Sequence, residues 1–97
     1  MKLDDLRQSA DNASAFLKSL GNAQRLRIMC LILEKERPVG ELADAVELNQ
    51  SAVSQHLALL RREGLLKTRR VGQTVFYQLA DKKVSKFLNL LEEMFCK

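Results

Sequence analysis

Ser51, Ser54, Gln55 and Ala58 recur at i, i+3, i+4 and i+7, the spacing of one stripe along a helix. The stripe is small and polar, with no charge and almost no bulk, where an ordinary solvated helix face would carry Lys and Glu. Val53, Leu57 and Leu60 fall on a separate apolar stripe of the same segment. Short hydrogen-bonding groups at the front of a helix, with Arg61 and Arg62 at its back, suit entry into the major groove of double-stranded DNA. Asn49 is a good cap for the start of that helix and Gly64 a good stop. An idle polar face is the plainer explanation, but the neighbouring charge weakens it. Arg61, Arg62, Lys67, Arg69 and Arg70 lie within ten residues and are opposed there only by Glu63. Such a cluster is the electrostatic footprint of phosphate contact, although a solvated face would also produce it.

The other reactive side chains are few. Two cysteines, Cys30 and Cys96, are too few for a disulfide-built secreted scaffold. With His56 as the one histidine, no Cys/His metal set can be assembled within a subunit. There is no glycine-rich phosphate loop and no nucleophile with a base and an orienting partner, so neither an enzyme nor a bound cofactor is expected. Read from spacing alone, Cys30 is a small buried core residue and Cys96 a terminal thiol.

These groups need a scaffold. Ninety-seven residues with 46% hydrophobic content, one Pro and four Gly predict a single, mostly helical domain over residues 1–97. Sixteen basic and twelve acidic residues leave a net charge of +4, which a dimer would double. The longest apolar run, LRIMCLIL at 26–33, is interrupted by Arg27 and is far too short to span a membrane. MKLDDLRQ at the start lacks the apolar core of a signal peptide, so the cytoplasm is the default location.

Leu3, Leu6, Ala10, Ala13, Leu17 and Leu20 alternate spacings of three and four, a helical seam over 3–20 that asks for a partner helix. A second helix, 22–36, is capped by Asn22 and is apolar nearly all round from Leu26 to Leu33, so it should be central and buried. Arg25 and Arg27 stand in its opening turns, where the helix dipole disfavours cations; a phosphate would explain them, and so would solubility. After Arg37-Pro38, a short helix at about 40–46 and a tight Glu47-Leu48-Asn49 connection lead into the helix at 50–63, which makes a helix-turn-helix. The period then changes to alternation: LLKTRR (65–70) and TVFYQL (74–79) flank Val71-Gly72-Gln73 as a β-hairpin. A basic hairpin directly after a reading helix is a wing, whose tip, Arg70 to Thr74, would follow phosphates or enter the minor groove. Asp81 caps a last helix through Phe95 with a broad apolar face at Val84, Phe87, Leu88, Leu91, Met94 and Phe95. The expected fold is mainly α with a β-hairpin, a winged helix-turn-helix of order α-α-α-α-β-β-α. The first and last helices carry surplus apolar surface and are expected to pair across a two-fold axis. A homodimer would then present two reading helices to half-sites roughly 34 Å apart.

This order of elements resembles the ArsR/SmtB family of small dimeric winged-helix regulators over essentially the whole chain. The likeness is strongest in VGELADAVELNQSAVSQHLALLRREGLLKTRRVGQTVFYQL, residues 39–79. It implies base contacts at Gln50, Ser51, Ser54 and Gln55 and wing contacts at Arg69, Arg70, Gln73 and Thr74. His56 lies just beyond the base-reading set and reads as a structural hydrogen-bonder, with direct DNA contact as the lesser alternative. Many members sense metals. Here VGELADA (39–45) lacks the cysteine motif, and DKKVSKFLNLLEEMFCK has no His and no paired ligand spacing. Asp81, Glu92 and Glu93 alone would suit thiophilic metals poorly, so no metal is expected. Cys30 in IMCLIL and Cys96 in MFCK are similar instead to the sensing pair of a metal-free dithiol branch. There, an oxidant or reactive sulfur joins the two thiols through a disulfide or polysulfide and DNA is released. Closing so long a loop contributes roughly 4 kcal/mol against the unfolded chain, and a coupling of about 1–3 kcal/mol suffices for allostery. The resemblance thus implies a sequence-specific transcriptional regulator switched at Cys30 and Cys96. A constitutive activator or counter-silencer, a metal-responsive repressor, and a small thiol enzyme or interaction module using Cys96 are the competing readings.

Overall fold

A computed structural model describes residues 2–96 of the chain. Seven elements follow one another: α1 (Leu3–Leu20), α2 (Ala23–Glu34), α3 (Val39–Val46), α4 (Gln50–Arg62), β1 (Leu66–Val71), β2 (Thr74–Leu79) and α5 (Lys82–Phe95). Three of the helices start where expected because a short side chain accepts from an otherwise orphaned backbone N–H. Asn22 accepts from Arg25 at 3.1 Å, Asn49 from Ala52 at 2.8 Å and Asp81 from Val84 at 3.1 Å. Gly64, at φ +78°, ends α4, with the Leu65 N–H reaching back to the Leu60 carbonyl at 2.9 Å.

The core draws on every helix. Ile28, Met29 and Ile32 of α2 meet Leu42 and Ala43 of α3, Val53, Leu57 and Leu60 of α4, and Val84 and Leu88 of α5, with Leu20, Leu65 and Leu66 closing the ends. The α2 helix is central as expected, but it is not buried all round. Arg27, Cys30 and Glu34 form an exposed flank, so Cys30 is not the core residue that its apolar neighbours suggest.

The α2 helix also stops at Glu34 rather than at residue 36. Pro38 disfavours helical backbone in the residue before it, and the freed connector finds other partners. Lys35 is extended (φ −166°, ψ 156°), and Arg37 forms an antiparallel bridge to Tyr77 of β2. The hairpin is antiparallel, with Val71 paired to Thr74 and a two-residue turn, Gly72-Gln73, between them. Gly72 takes φ +61°, which the hairpin twist favours and which only glycine accepts without strain. No helix among the described residues is long and apolar enough to cross a membrane.

Candidate nucleic-acid interface

The buried Val53, Leu57 and Leu60 fix the rotation of α4 against the core and turn the opposite side outward. Gln50, Ser51, Ser54, Gln55 and Ala58 are all exposed there. Among the described residues, the side-chain hydrogen bond at the start of α4 is the cap from Asn49, which leaves Ser51, Ser54 and Gln55 with unspent donors and acceptors. Gln50 differs from the rest. Its Nε2 lies over the start of α3, where a Cβ on Gly40 would come within 3.7 Å of it. Between the two helices Glu47 adopts left-handed backbone (φ 57°, ψ 43°), which ends α3 and begins the three-residue turn into α4.

His56 is half-buried on the side of α4 that faces Arg25, away from the exposed stripe. Burial, followed by the charge of Arg25, lowers its pKa and so favours the neutral ring. Its side chain makes no hydrogen bond among the described residues. Arg25 donates from Nε to the Ser19 carbonyl, tying the start of α2 to the end of α1, and Arg27 donates to Gln24 at 3.2 Å. Both cations therefore have partners inside the chain, and neither needs a phosphate to explain it.

On the wing, strand alternation separates the basic residues. The register pairs Arg69 with Phe76 and Lys67 with Gln78 on one face, and Arg70 with Val75 and Thr68 with Tyr77 on the other. Arg70, Gln73 and Thr74 are exposed around the turn. Arg69 is engaged elsewhere. Its guanidinium grips the carboxylate of Glu36, with Nε to Oε2 at 3.1 Å, and lies 5.1 Å from the centre of the Phe76 ring. Gln78 donates to the same carboxylate at 2.6 Å. Arg69 and Gln78 together hold the Glu36 carboxyl below the usual carboxylate range, and Glu36 in turn raises the pKa of Arg69. Glu36 went unnoticed in the sequence because an acidic residue in a short polar connector carries no local signal. Only the fold brings it to the wing.

Cys30 and Cys96 line one groove between α2 and α5, with a volume of about 550 Å³, walled by Leu26, Leu33, Leu91 and Phe95 and edged by Glu34 and Glu92. Both thiols are free and exposed. Burial raises the pKa of Cys30 most, and the negative charges of Cys96 and Glu92 add to it. No group of three His, Cys, Asp or Glu side chains converges among the described residues.

A helix-turn-helix whose second helix exposes an uncharged polar face, followed by a basic hairpin, defines a winged helix-turn-helix protein. The family model described as "Bacterial regulatory protein, arsR family" matches residues 22–68. The chain belongs to this family of DNA-binding transcriptional regulators. It is 45% identical over 96 residues to the transcriptional activator HlyU of Vibrio cholerae, spanning 99% of this chain and 89% of that protein. The structure of reduced HlyU from Vibrio cholerae superposes with a TM-score of 0.92 at 44% identity, over 98% of this chain and all of that one. The repressor BigR of Xylella fastidiosa gives 0.86 at 34% identity, over 100% of this chain and 99% of that one. Mb0332 of Mycobacterium bovis, described as a homodimeric winged helix-turn-helix DNA-binding domain, gives 0.85 at 29% identity, covering 96% of this chain and 86% of that one.

Proposed function

We propose that residues 1–97 act as one domain of a homodimeric, sequence-specific regulator whose affinity for DNA falls when Cys30 and Cys96 are joined. The observation that carries the DNA-reading part is the exposed, uncharged and unbonded polar stripe of α4, held outward by a fully buried apolar stripe behind it. Ser51, Ser54 and Gln55 read base edges, Gln50 contacts DNA from its place over α3, and Arg70, Gln73 and Thr74 meet the backbone or minor groove. Arg69 sits midway along β1, engaged with Glu36. A symmetric pair of such heads recognises a pseudo-palindrome with half-sites one helical turn apart. The homodimer described for Mb0332 supports the assembly.

The common groove supports the thiol switch, because both sulfurs line the same cavity and α5 belongs to the face on which the dimer is expected. With hydrogen peroxide, two thiols give up two protons and two electrons, one S–S bond forms and two waters leave. With a persulfide donor, one sulfane sulfur is retained between the two cysteines as a trisulfide, a second takes the two protons and two electrons and leaves as hydrogen sulfide, and the donor departs as two thiols. The raised pKa of Cys30 favours a second reading, in which the protein binds DNA constitutively and its thiols stay reduced.

One titration tests these readings. A duplex selected from a random pool by the reduced protein is titrated with wild type and Cys30→Ser, before and after a persulfide donor or peroxide. The switch predicts a loss of about 5- to 150-fold in wild type and none in the variant, together with a Cys30–Cys96 linked peptide by mass. Unlinked peptides and unchanged affinity leave the constitutive reading. Gln55→Ala, which removes a base contact, should weaken binding by about 1–3 kcal/mol without altering assembly; unchanged affinity would remove α4 as the reading element.

A further inference from the structure

The connector between α2 and α3 is tied in three directions. The Arg37 guanidinium closes the end of α2, donating from Nε to the Leu31 carbonyl at 3.0 Å and pairing with Glu34 at 2.9 Å, and it reaches Glu41 of α3 at 3.7 Å. The Arg37 backbone exchanges two hydrogen bonds with Tyr77 of β2, at 3.3 and 2.9 Å. One residue earlier, Glu36 receives both Arg69 of β1 and Gln78 of β2 on a single carboxylate. The hairpin is therefore clamped to the chain that leads directly into the helix-turn-helix. Its attachment uses both strands.

We propose that Glu36 is a positioning residue of the DNA interface: with Arg69 it forms a strut that fixes the angle of the wing relative to α3 and α4 and withdraws Arg69 from phosphate contact. The proposal rests on the DNA-reading function above and deepens it. A planar guanidinium that fills both carboxylate oxygens and stacks on Phe76 has its fork and one face already committed. An exposed ion pair contributes little to stability, so the consequence of this one is orientation. The alternation of β1 makes the division of labour possible. Arg69 faces the connector side, while Arg70 points to the opposite face and keeps its charge for DNA. Gln78 on the partner strand braces the same carboxylate, so the hairpin cannot pivot about a single contact.

Salt dependence distinguishes a strut from a phosphate contact. Each phosphate neutralised steepens the fall of log K with log salt by about 0.9. Titrations of the selected duplex between about 50 and 200 mM salt compare wild type with R70A, R69A, R69K, E36A, E36Q and the double variant E36A/R69A. R70A should lower the slope by about 0.9 per wing. R69A should leave the slope unchanged and weaken binding by about 3- to 10-fold at every salt concentration. R69K should do no better, because a lysine restores the charge but not the fork. E36A should also weaken binding, although it removes a negative charge beside the DNA, and E36A/R69A should add nothing to either single change. E36Q, which keeps the size and one acceptor, should show the same sign in smaller measure. Protection of the Tyr77 amide from exchange identifies a hairpin still attached to the connector. A slope lowered by R69A and restored by R69K, or tighter binding by E36A or E36Q, overturns the strut while leaving DNA reading intact. A wild type that binds the duplex without salt dependence overturns the proposal together with the function beneath it.

Discussion

Water reaches Cys30, yet its surroundings resist the thiolate. The groove walls desolvate the sulfur first, and the negative charges of Cys96 and Glu92 then oppose a second anion beside them. The sign follows directly. The folded chain holds this proton more tightly than the unfolded chain does, so its contribution to stability is complete below the ordinary cysteine value of about 8.5 and is lost as pH rises through the higher folded value. Alkylation of Cys30 by iodoacetamide, followed by mass against pH, should therefore show a midpoint above that of a model thiol. Cys96→Ser should bring the midpoint part of the way down, because burial, the larger cause, remains. A midpoint at or below the model value would mean that the groove does not shield the sulfur. The exposed polar stripe was legible at this scale, since Ser51, Ser54 and Gln55 lie at helical spacing opposite an apolar stripe and are exposed as that pattern requires. The exposure of Cys30 was not, because IMCLIL is apolar on every side and the partnerless flank of α2 is chosen by the neighbours that pack on it.

Among the elements, caps and alternation mark boundaries locally, and the order of five helices and one hairpin follows from them. What escapes a local reading is made by contacts between distant segments. The end of α2 is decided jointly by Pro38 and by the bridge from Arg37 to Tyr77, a single pair too short to leave an alternating pattern. The pairing of Glu36 with Arg69 likewise spans 33 positions. The turn between α3 and α4 gives a testable case of local strain. Glu47 stands in left-handed backbone at the end of α3, and its N–H reaches the Ala43 and Asp44 carbonyls. A side chain at that angle is disfavoured where glycine is not. Glu47→Gly should therefore stabilise the fold by about 0.5–1 kcal/mol, the relief of strain exceeding the added freedom of the unfolded chain. Urea unfolding at one fixed protein concentration measures it, and a midpoint below that of wild type would show that the turn holds no strain to release.

The shape of one chain argues for its partner. A folded chain of this length has a radius of gyration of about 12–13 Å, whereas this one has 14.5 Å and extends 48 Å along its longest axis. The excess comes from α1, whose residues up to Ala15 are all exposed although its leucines follow a helical seam. Leu3 is 60% exposed, Met94 58% and Phe95 76%, so α1 and the end of α5 both present apolar faces that no other described residue covers. In the proposed dimer these faces cover each other, and the folding of α1 depends on assembly, because an isolated helix of this kind is marginal in water. Leu6→Glu combined with Met94→Glu places a charge on each face without touching the core. The double variant should sediment as a single chain of about 11.0 kDa, lose helical signal equivalent to much of α1, and bind the selected duplex about 100-fold or more weaker, since the two reading heads are no longer linked. An intact helical signal in that variant would show that α1 stands by itself. A wild type sedimenting as one chain at micromolar concentration would leave two heads on one duplex without a mechanism. It would also separate the thiol groove on α5 from the assembly through which it is proposed to act.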